Sequence, residues 1–179
     1  MDTYKLKWTV LEQDVFSVVC SLAGESLSQR DIAKKLKVSP TSVGYAIKKL
    51  KKDNVIKVVK TKTVHFISLN RDERKAFELK QVENLKNIYV SGLSRYLEQQ
   101  FFGGTIVLFG SYSKGEDTVS SDIDIAIIGR KDKVLALESY EEVLKRKINI
   151  NFYENWKKIH THLKNNILNG IVLHGGVEL

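Results

Sequence analysis

Cysteine occurs once in this chain, at Cys20, which excludes an internal disulfide and any cysteine-rich zinc site. Four scattered histidines do not make up for it, because His160 and His162, two residues apart, fall on different faces of a helix. No apolar run approaches the roughly 20 residues that a membrane span requires. The stretch MDTYKLKWTVLEQD lacks the uninterrupted apolar segment of a secretion signal. The expectation is a cytoplasmic protein with no membrane partner. Acidic residues are scarce in one region only. Residues 1–70 hold 13 Lys and Arg against 6 Asp and Glu, residues 71–100 hold 6 against 5, and residues 101–179 hold 10 against 10. The first seventy residues therefore carry +7 of the net +8. What remains is ordinary: 179 residues, 42% hydrophobic and 28% charged, enough for a real core in one domain or two small ones. A basic half joined to a neutral half points to two domains, one of which meets a polyanion.

In the basic half, SQRDIAKKLKVSPTSVGYAIKKLKKDNVIKVV predicts two helices and the start of a hairpin. Ser28 caps a helix that buries Ile32, Ala33 and Leu36. Ser39 caps the next, with the chain's one proline, Pro40, at the first helical position, where a missing N–H costs nothing. This helix has a core stripe of Val43, Ile47 and Leu50, and a second stripe of Thr41, Tyr45, Lys48, Lys49 and Lys52. Gly44 is an expensive residue in such a place, by up to ~1 kcal/mol against alanine. It either lets the backbone approach a ligand or admits a neighbouring helix. An earlier helix is marked by Leu11, Val15, Val18 and Leu22, and VIKVVKTKTVHFISL supplies two β-rich runs around a lysine-bearing turn.

Over roughly residues 8–70 this pattern resembles the winged helix-turn-helix of prokaryotic transcription regulators. The resemblance implies duplex DNA as partner, with the third helix in the major groove and the wing on the backbone. It implies that Thr41, Ser42 and Tyr45 face bases, and that Lys48, Lys49, Lys52, Lys60 and Lys62 face phosphates. Residues 71–100 contain no proline and place Phe77, Val82, Leu85, Tyr89, Leu93 and Tyr96 at three- and four-residue steps. They predict one long amphipathic connecting helix, bent at Gly92, which either packs along the second domain or forms a homodimer seam.

The most patterned stretch is FGSYSKGEDTVSSDIDIAIIG, residues 109–129. It follows the apolar strand TIVLFG. A glycine-serine turn opening a short helix presents free N–H groups to phosphate oxygens, with Lys114 as a mobile charge nearby. In the strand SDIDIAII, the period of two puts Asp122, Asp124 and Ala126 on one face and Ile123, Ile125 and Ile127 on the other. Two adjacent carboxylates repel unless a cation lies between them, and Mg²⁺ suits a site of one or two carboxylates plus substrate phosphates.

The stretch resembles the signature of the DNA polymerase beta superfamily, and within it the minimal nucleotidyltransferases, over residues 101–179. Gly110-Ser111, Ser113-Lys114-Gly115 and Ser121-Asp122-Ile123-Asp124 carry the match, and NGIVLHG is similar to the closing helix and strand. The resemblance implies nucleotide contacts from Gly110, Ser111, Lys114 and Ser121. It implies that Asp122 and Asp124 hold Mg²⁺ (or Mn²⁺) with an NTP such as ATP. The family's third carboxylate lies on the following strand, here KININ, where the matching residue is Asn149. An amide can ligate a metal but cannot accept a proton, so the catalytic set Asp122, Asp124 and Asn149 lacks a base. Lys145, Arg146 and Lys147 either reach phosphate or finish a helix.

The sequence thus predicts an α+β protein. A winged helix (1–70) is followed by a connecting helix (71–100) and a small polymerase-beta-type nucleotidyltransferase α/β domain with a mixed sheet (101–179). Three functions stand open. The first is a DNA-binding regulator whose second domain binds Mg-NTP with weakened or lost transfer. The second is an active enzyme moving NMP to a hydroxyl on protein, nucleic acid or a small molecule. The third is an antitoxin-type interaction protein with a partner toxin, which the family resemblance suggests.

Overall fold

A computed structural model describes residues 7–61 and 65–177. The chain divides into two compact units, Met1–Lys80 and Gln81–Leu179, each with a core of its own.

In the first unit three helices, α1 (Val10–Ser21), α2 (Gln29–Leu36) and α3 (Pro40–Lys52), pack with a small antiparallel sheet of β1 (Leu27–Ser28), β2 (Ile56–Lys60) and β3 (His65–Leu69), in the order β1-β3-β2. Each of these helix starts is satisfied locally. Thr9 and Glu12 form a capping box at α1, Ser28 and Asp31 form another at α2, and the Ser39 side chain accepts from Ser42 N at α3, with Pro40 beginning the helix. The buried side of α1 differs from the expected stripe. Phe16, Val19 and Cys20 are buried with Val15, while Leu11, Val18 and Leu22 sit half-buried at the rim. The helix is rotated because Phe16 is the largest apolar side chain available and packs beside Trp8, with ring centroids 5.1 Å apart. Ile32, Val43, Ile47, Leu50 and Ile67 complete this core.

The single connecting helix is not formed. The chain makes α4 (Arg74–Val90) and α5 (Leu93–Gln100), separated at Ser91 and Gly92. Gly92 takes φ 81°, a left-handed conformation that a helix interior cannot hold and that glycine adopts cheaply. Nor is α4 apolar on one side only: Ile88 is buried, but Val82 and Tyr89, two members of the expected stripe, are exposed.

The second unit is built on a four-stranded sheet, β4 (Thr105–Phe109), β5 (Ile123–Ile128), β6 (Ile148–Tyr153) and β7 (Ile171–His174), in the order β6-β5-β4-β7. Within it β5 and β6 run parallel and the other pairs antiparallel, and α7 (Glu138–Leu144) lies in the crossover between β5 and β6. The five residues of α6 (Gly110–Lys114) follow β4 directly, and a 3₁₀ turn (Trp156–Lys158) leads to α8 (Thr161–Leu168) before β7. Alternation along the strands separates two cores. Ile106, Leu108, Ile123, Ile125, Ile127 and Ile148 meet Ile88, Leu93 and Leu97 on one face. On the other, Val107, Phe109, Ala126 and Ile128 are covered by Trp156, Ile159 and Ile167. That second face carries Asp124 one alternate step from Ala126, so it is apolar at one end of β5 and acidic at the other.

Candidate functional site

In the second unit, three strands converge on Asp124. It pairs in register with Phe109 of β4 on one side and with Asn149 of β6 on the other. Phe109 is the last residue of β4, so the Gly110 turn begins beside the carboxylate. Gly110 has φ 76°, and a Cβ there would lie 2.5 Å from Asp124 Oδ2. The left-handed conformation favours glycine, and a Cβ there would also push the Asp124 carboxylate aside. Ser113 Oγ donates to Gly110 O at 2.9 Å and tightens the turn. Lys114, exposed, has its Nζ 3.5 Å from Asn166 Oδ1 on α8. Ser121 Oγ accepts from Thr118 N at 2.9 Å, closing the loop that delivers Asp122 to the start of β5.

Asn149 shares the face of both carboxylates. Its Nδ2 donates to Asp122 Oδ2 at 3.1 Å and to Asp124 Oδ1 at 3.3 Å. Among the described residues, no group of three or more His, Cys, Asp or Glu is placed to hold a metal ion. The available donor set is two carboxylates and one amide. Such a set fits Mg²⁺, which keeps several waters and is held through one or two carboxylates plus substrate phosphates. Asp122, Asp124 and Asn149 would hold it, and it would screen phosphate charge and orient the reacting phosphorus.

Beneath the turn lies a polar cluster with no signal in the sequence. Asp117 is 2% exposed and Asn84 4%. Asn84 Nδ2 donates to Asp117 Oδ1 at 2.7 Å and to Tyr112 O at 2.8 Å. The Arg146 guanidinium, itself buried, stands 3.8 Å from Asp117 Oδ2. Gln81 Nε2 adds a bond to Ser113 O at 2.7 Å. Burial, together with the Asp117 charge, pushes the Tyr112 phenol well above its ordinary range. Arg146 also finishes α7, its backbone N–H donating to Glu141 O at 3.3 Å and its guanidinium to Lys145 O at 3.0 Å. The same guanidinium holds the loop after the turn against the strand that carries Asn149.

In the first unit, Thr41, Tyr45, Lys48 and Lys52 are exposed along α3, with Tyr45 68% open. Lys48 Nζ stands 5.3 Å from the Tyr45 ring centroid, a cation–π pair at the surface. Ser42 is engaged at the helix start, its Oγ 2.8 Å from Ser39 Oγ. Lys49 stands apart from the stripe, because its Nζ is held 2.9 Å from Asp53 Oδ1. Asp53 also accepts from Trp8 Nε1 at 2.7 Å. Partial burial opposes ionisation of Asp53, but the bonds from Trp8 and Lys49 and the nearby lysine charges outweigh it and hold the carboxyl below its usual value. Gly44 admits the neighbouring helix: a Cβ there would meet Gln29 Nε2 at 2.9 Å, and that amide donates to Pro40 O at 2.5 Å. Between α3 and the wing strands runs a groove of about 430 Å³ bordered by Thr41, Tyr45, Lys48, Lys51, Lys60 and His65. Lys51 and His65 are additions to the expected set. Lys62 lies outside the described residues.

No curated protein matches this chain. Among solved structures, a single-residue mutant of ZitR from Lactococcus lactis is 22% identical, over 56% of this chain and 67% of its own, with a TM-score of 0.41. The adhesin competence repressor AdcR from Streptococcus pyogenes is 21% identical, over 54% of this chain and 70% of its own, again with a TM-score of 0.41. Both are loose likenesses of fold. Residues 23–57 match the winged helix-turn-helix DNA-binding family model, and residues 90–174 match the nucleotidyltransferase domain. The chain joins a winged helix-turn-helix of DNA-binding type to a nucleotidyltransferase domain.

Proposed function

We propose that the protein is a DNA-binding regulator whose nucleotidyltransferase domain binds a metal–NTP complex and has weakened or lost transfer. The observation that carries this reading is the register of Asn149 against Asp124. It sets an amide beside the two acids, where an attacking hydroxyl would need a base. Losing a general base typically costs ~10²–10⁴-fold in rate. The nucleotide side of the reading is supported by the Gly110 turn packed on Asp124 and by Lys114 at its end. Thr41, Tyr45, Lys48 and Lys52, exposed along α3 beside Lys60 on the wing, support a duplex partner read by Thr41 and Tyr45 and held through phosphates by the lysines. With +7 of the net charge in residues 1–70, binding gains from counterion release.

The deciding experiment is incubation of the full chain with labelled NTPs and Mg²⁺, in parallel with binding to random-sequence duplex DNA over a salt series. Expected are salt-dependent DNA binding, Mg²⁺-dependent nucleotide binding and little label transferred. Brisk transfer by the wild type would overturn the weakened-enzyme reading in favour of an active nucleotidyltransferase. Absent or salt-independent DNA binding would overturn the regulator reading in favour of an interaction protein.

A further inference from the structure

The Asn149 amide lies between two groups that can only accept. An ionised carboxylate has no hydrogen to donate, and an amide nitrogen offers two hydrogens and no lone pair. The observed contacts, Nδ2 to Asp122 Oδ2 and to Asp124 Oδ1, give each carboxylate a donor from the one amide nitrogen. The reverse orientation would set the amide oxygen against two carboxylate oxygens. In the protein alone, the acids therefore dictate which end of the amide they meet. A divalent cation demands the opposite, since Mg²⁺ and Mn²⁺ bind oxygen. One side chain cannot present its nitrogen to the acids and its oxygen to a metal at the same time.

From this conflict we infer that Asn149 is an internal counter-cation that pairs Asp122 with Asp124 and bars free divalent ions, so that the site accepts a cation only together with a nucleoside triphosphate. The inference rests on reading the site as one for metal–NTP. A free ion entering between the acids must give up water and displace two hydrogen bonds to charged acceptors. A cation already chelated by a triphosphate arrives with part of its shell replaced by phosphate oxygens. The nucleotide also brings contacts with the Gly110 turn and Lys114 that a bare ion lacks. These contacts offset the lost bonds and leave the amide free to rotate its oxygen inward. Cation and nucleotide then raise each other's affinity by the same factor.

This differs in sign from a plain ligand role. Were Asn149 simply the third ligand, its removal would weaken cation binding. As a counter-cation, its removal strengthens binding of the free ion. The test is Mn²⁺ titration of the full chain, followed by electron paramagnetic resonance and water-proton relaxation, with and without ATP, in the wild type, Asn149→Ala and Asn149→Asp. Asn149 is exposed, so neither change disturbs the core. Asn149→Ala is expected to bind free Mn²⁺ at least about tenfold more tightly than the wild type, since even one of the two hydrogen bonds to charged acceptors is worth that much. Asn149→Asp is expected to bind it more tightly still, and the wild type to bind Mn²⁺ well only with ATP. The wild-type Asn149 side-chain amide resonances should shift when Mg²⁺ and ATP are added together and not with Mg²⁺ alone. Free-Mn²⁺ affinity equal or lower in Asn149→Ala, with Mn²⁺–ATP binding by the wild type intact, overturns the inference and leaves the nucleotide reading standing. Absence of Mn²⁺–ATP binding in all three proteins overturns both.

Discussion

The two units handle charge in opposite ways. The winged helix carries a large excess of one sign and keeps it outside: Lys48, Lys52 and Lys60 are exposed, and two of its ion pairs, Lys49 with Asp53 and Lys57 with Asp72, lie at or near the surface. The nucleotidyltransferase unit has almost no net charge, yet it buries Asp117 and Arg146 and lines two carboxylates along one strand face. A polyanion is held by many interchangeable cations whose exact positions matter little. A nucleotide and its metal are held by a few groups whose positions matter a great deal. On the proposed reading, excess charge serves the first task and would spoil the second, where each charge needs an assigned partner.

The largest effect is expected where charge is buried, inside the second unit. Asp117→Ala removes the buried carboxylate that faces the Arg146 guanidinium and accepts one of the Asn84 bonds, and is expected to destabilise by about 3 kcal/mol. The chain has two tryptophans, Trp8 in one unit and Trp156 in the other. Urea unfolding read from Trp156 in a Trp8→Phe background should shift, while Trp8 read in a Trp156→Phe background should not. An equal shift of both signals would show that the cluster does not belong to one unit alone.

Next in size is Asn149→Asp, which supplies both a base and a third anionic ligand. Nucleotidyl transfer measured with labelled NTP should rise by about 10²-fold. No gain would show that the acceptor site or another part of the pocket is missing as well. In the first unit, Lys48→Ala with Lys52→Ala should weaken duplex binding about tenfold on every sequence and reduce the salt slope by about two. Thr41→Ala should instead change sequence preference. A sequence-selective loss from the lysine pair would contradict the interchangeable-cation picture.

The smallest effect concerns Asp53. Asp53→Asn should cost the winged helix about 1 kcal/mol at neutral pH, through the weakened bonds from Trp8 and Lys49. The folded carboxyl sits below its ordinary value, so its contribution is present above the unfolded value near 4 and is lost as pH falls through the folded one. Wild type and variant should therefore converge in strongly acidic solution, as followed by Trp8 fluorescence.

Local chemistry is enough to read much of this protein. Ser28, Ser39 and Pro40 mark helix starts because caps act over three or four residues, and the Asp122–Asp124 face follows from the two-residue repeat of a strand. The match of Asn149 to an acidic position needs only alternation within KININ and the family pattern. Other features turn on residues distant in sequence. Lys49 reads as one more cation on a stripe until Asp53 joins it to Trp8, a residue 45 positions from that carboxylate. Gly44 allows two readings until Gln29 fills the space above it. Asp117, Asn84 and Arg146 follow no period, since a buried polar cluster is assembled from separate elements. The connecting helix ends at Gly92, where its pattern points to a bend, because conformation and packing together decide whether glycine bends a helix or stops it. The helix starts and the acidic face are thus products of spacing along one chain, and the two domain types follow from the family resemblance its motifs carry. Which lysines are already paired, what holds the Gly110 turn, and that the Asn149 nitrogen meets both acids are settled in three dimensions, because each depends on strands and helices brought together across the fold.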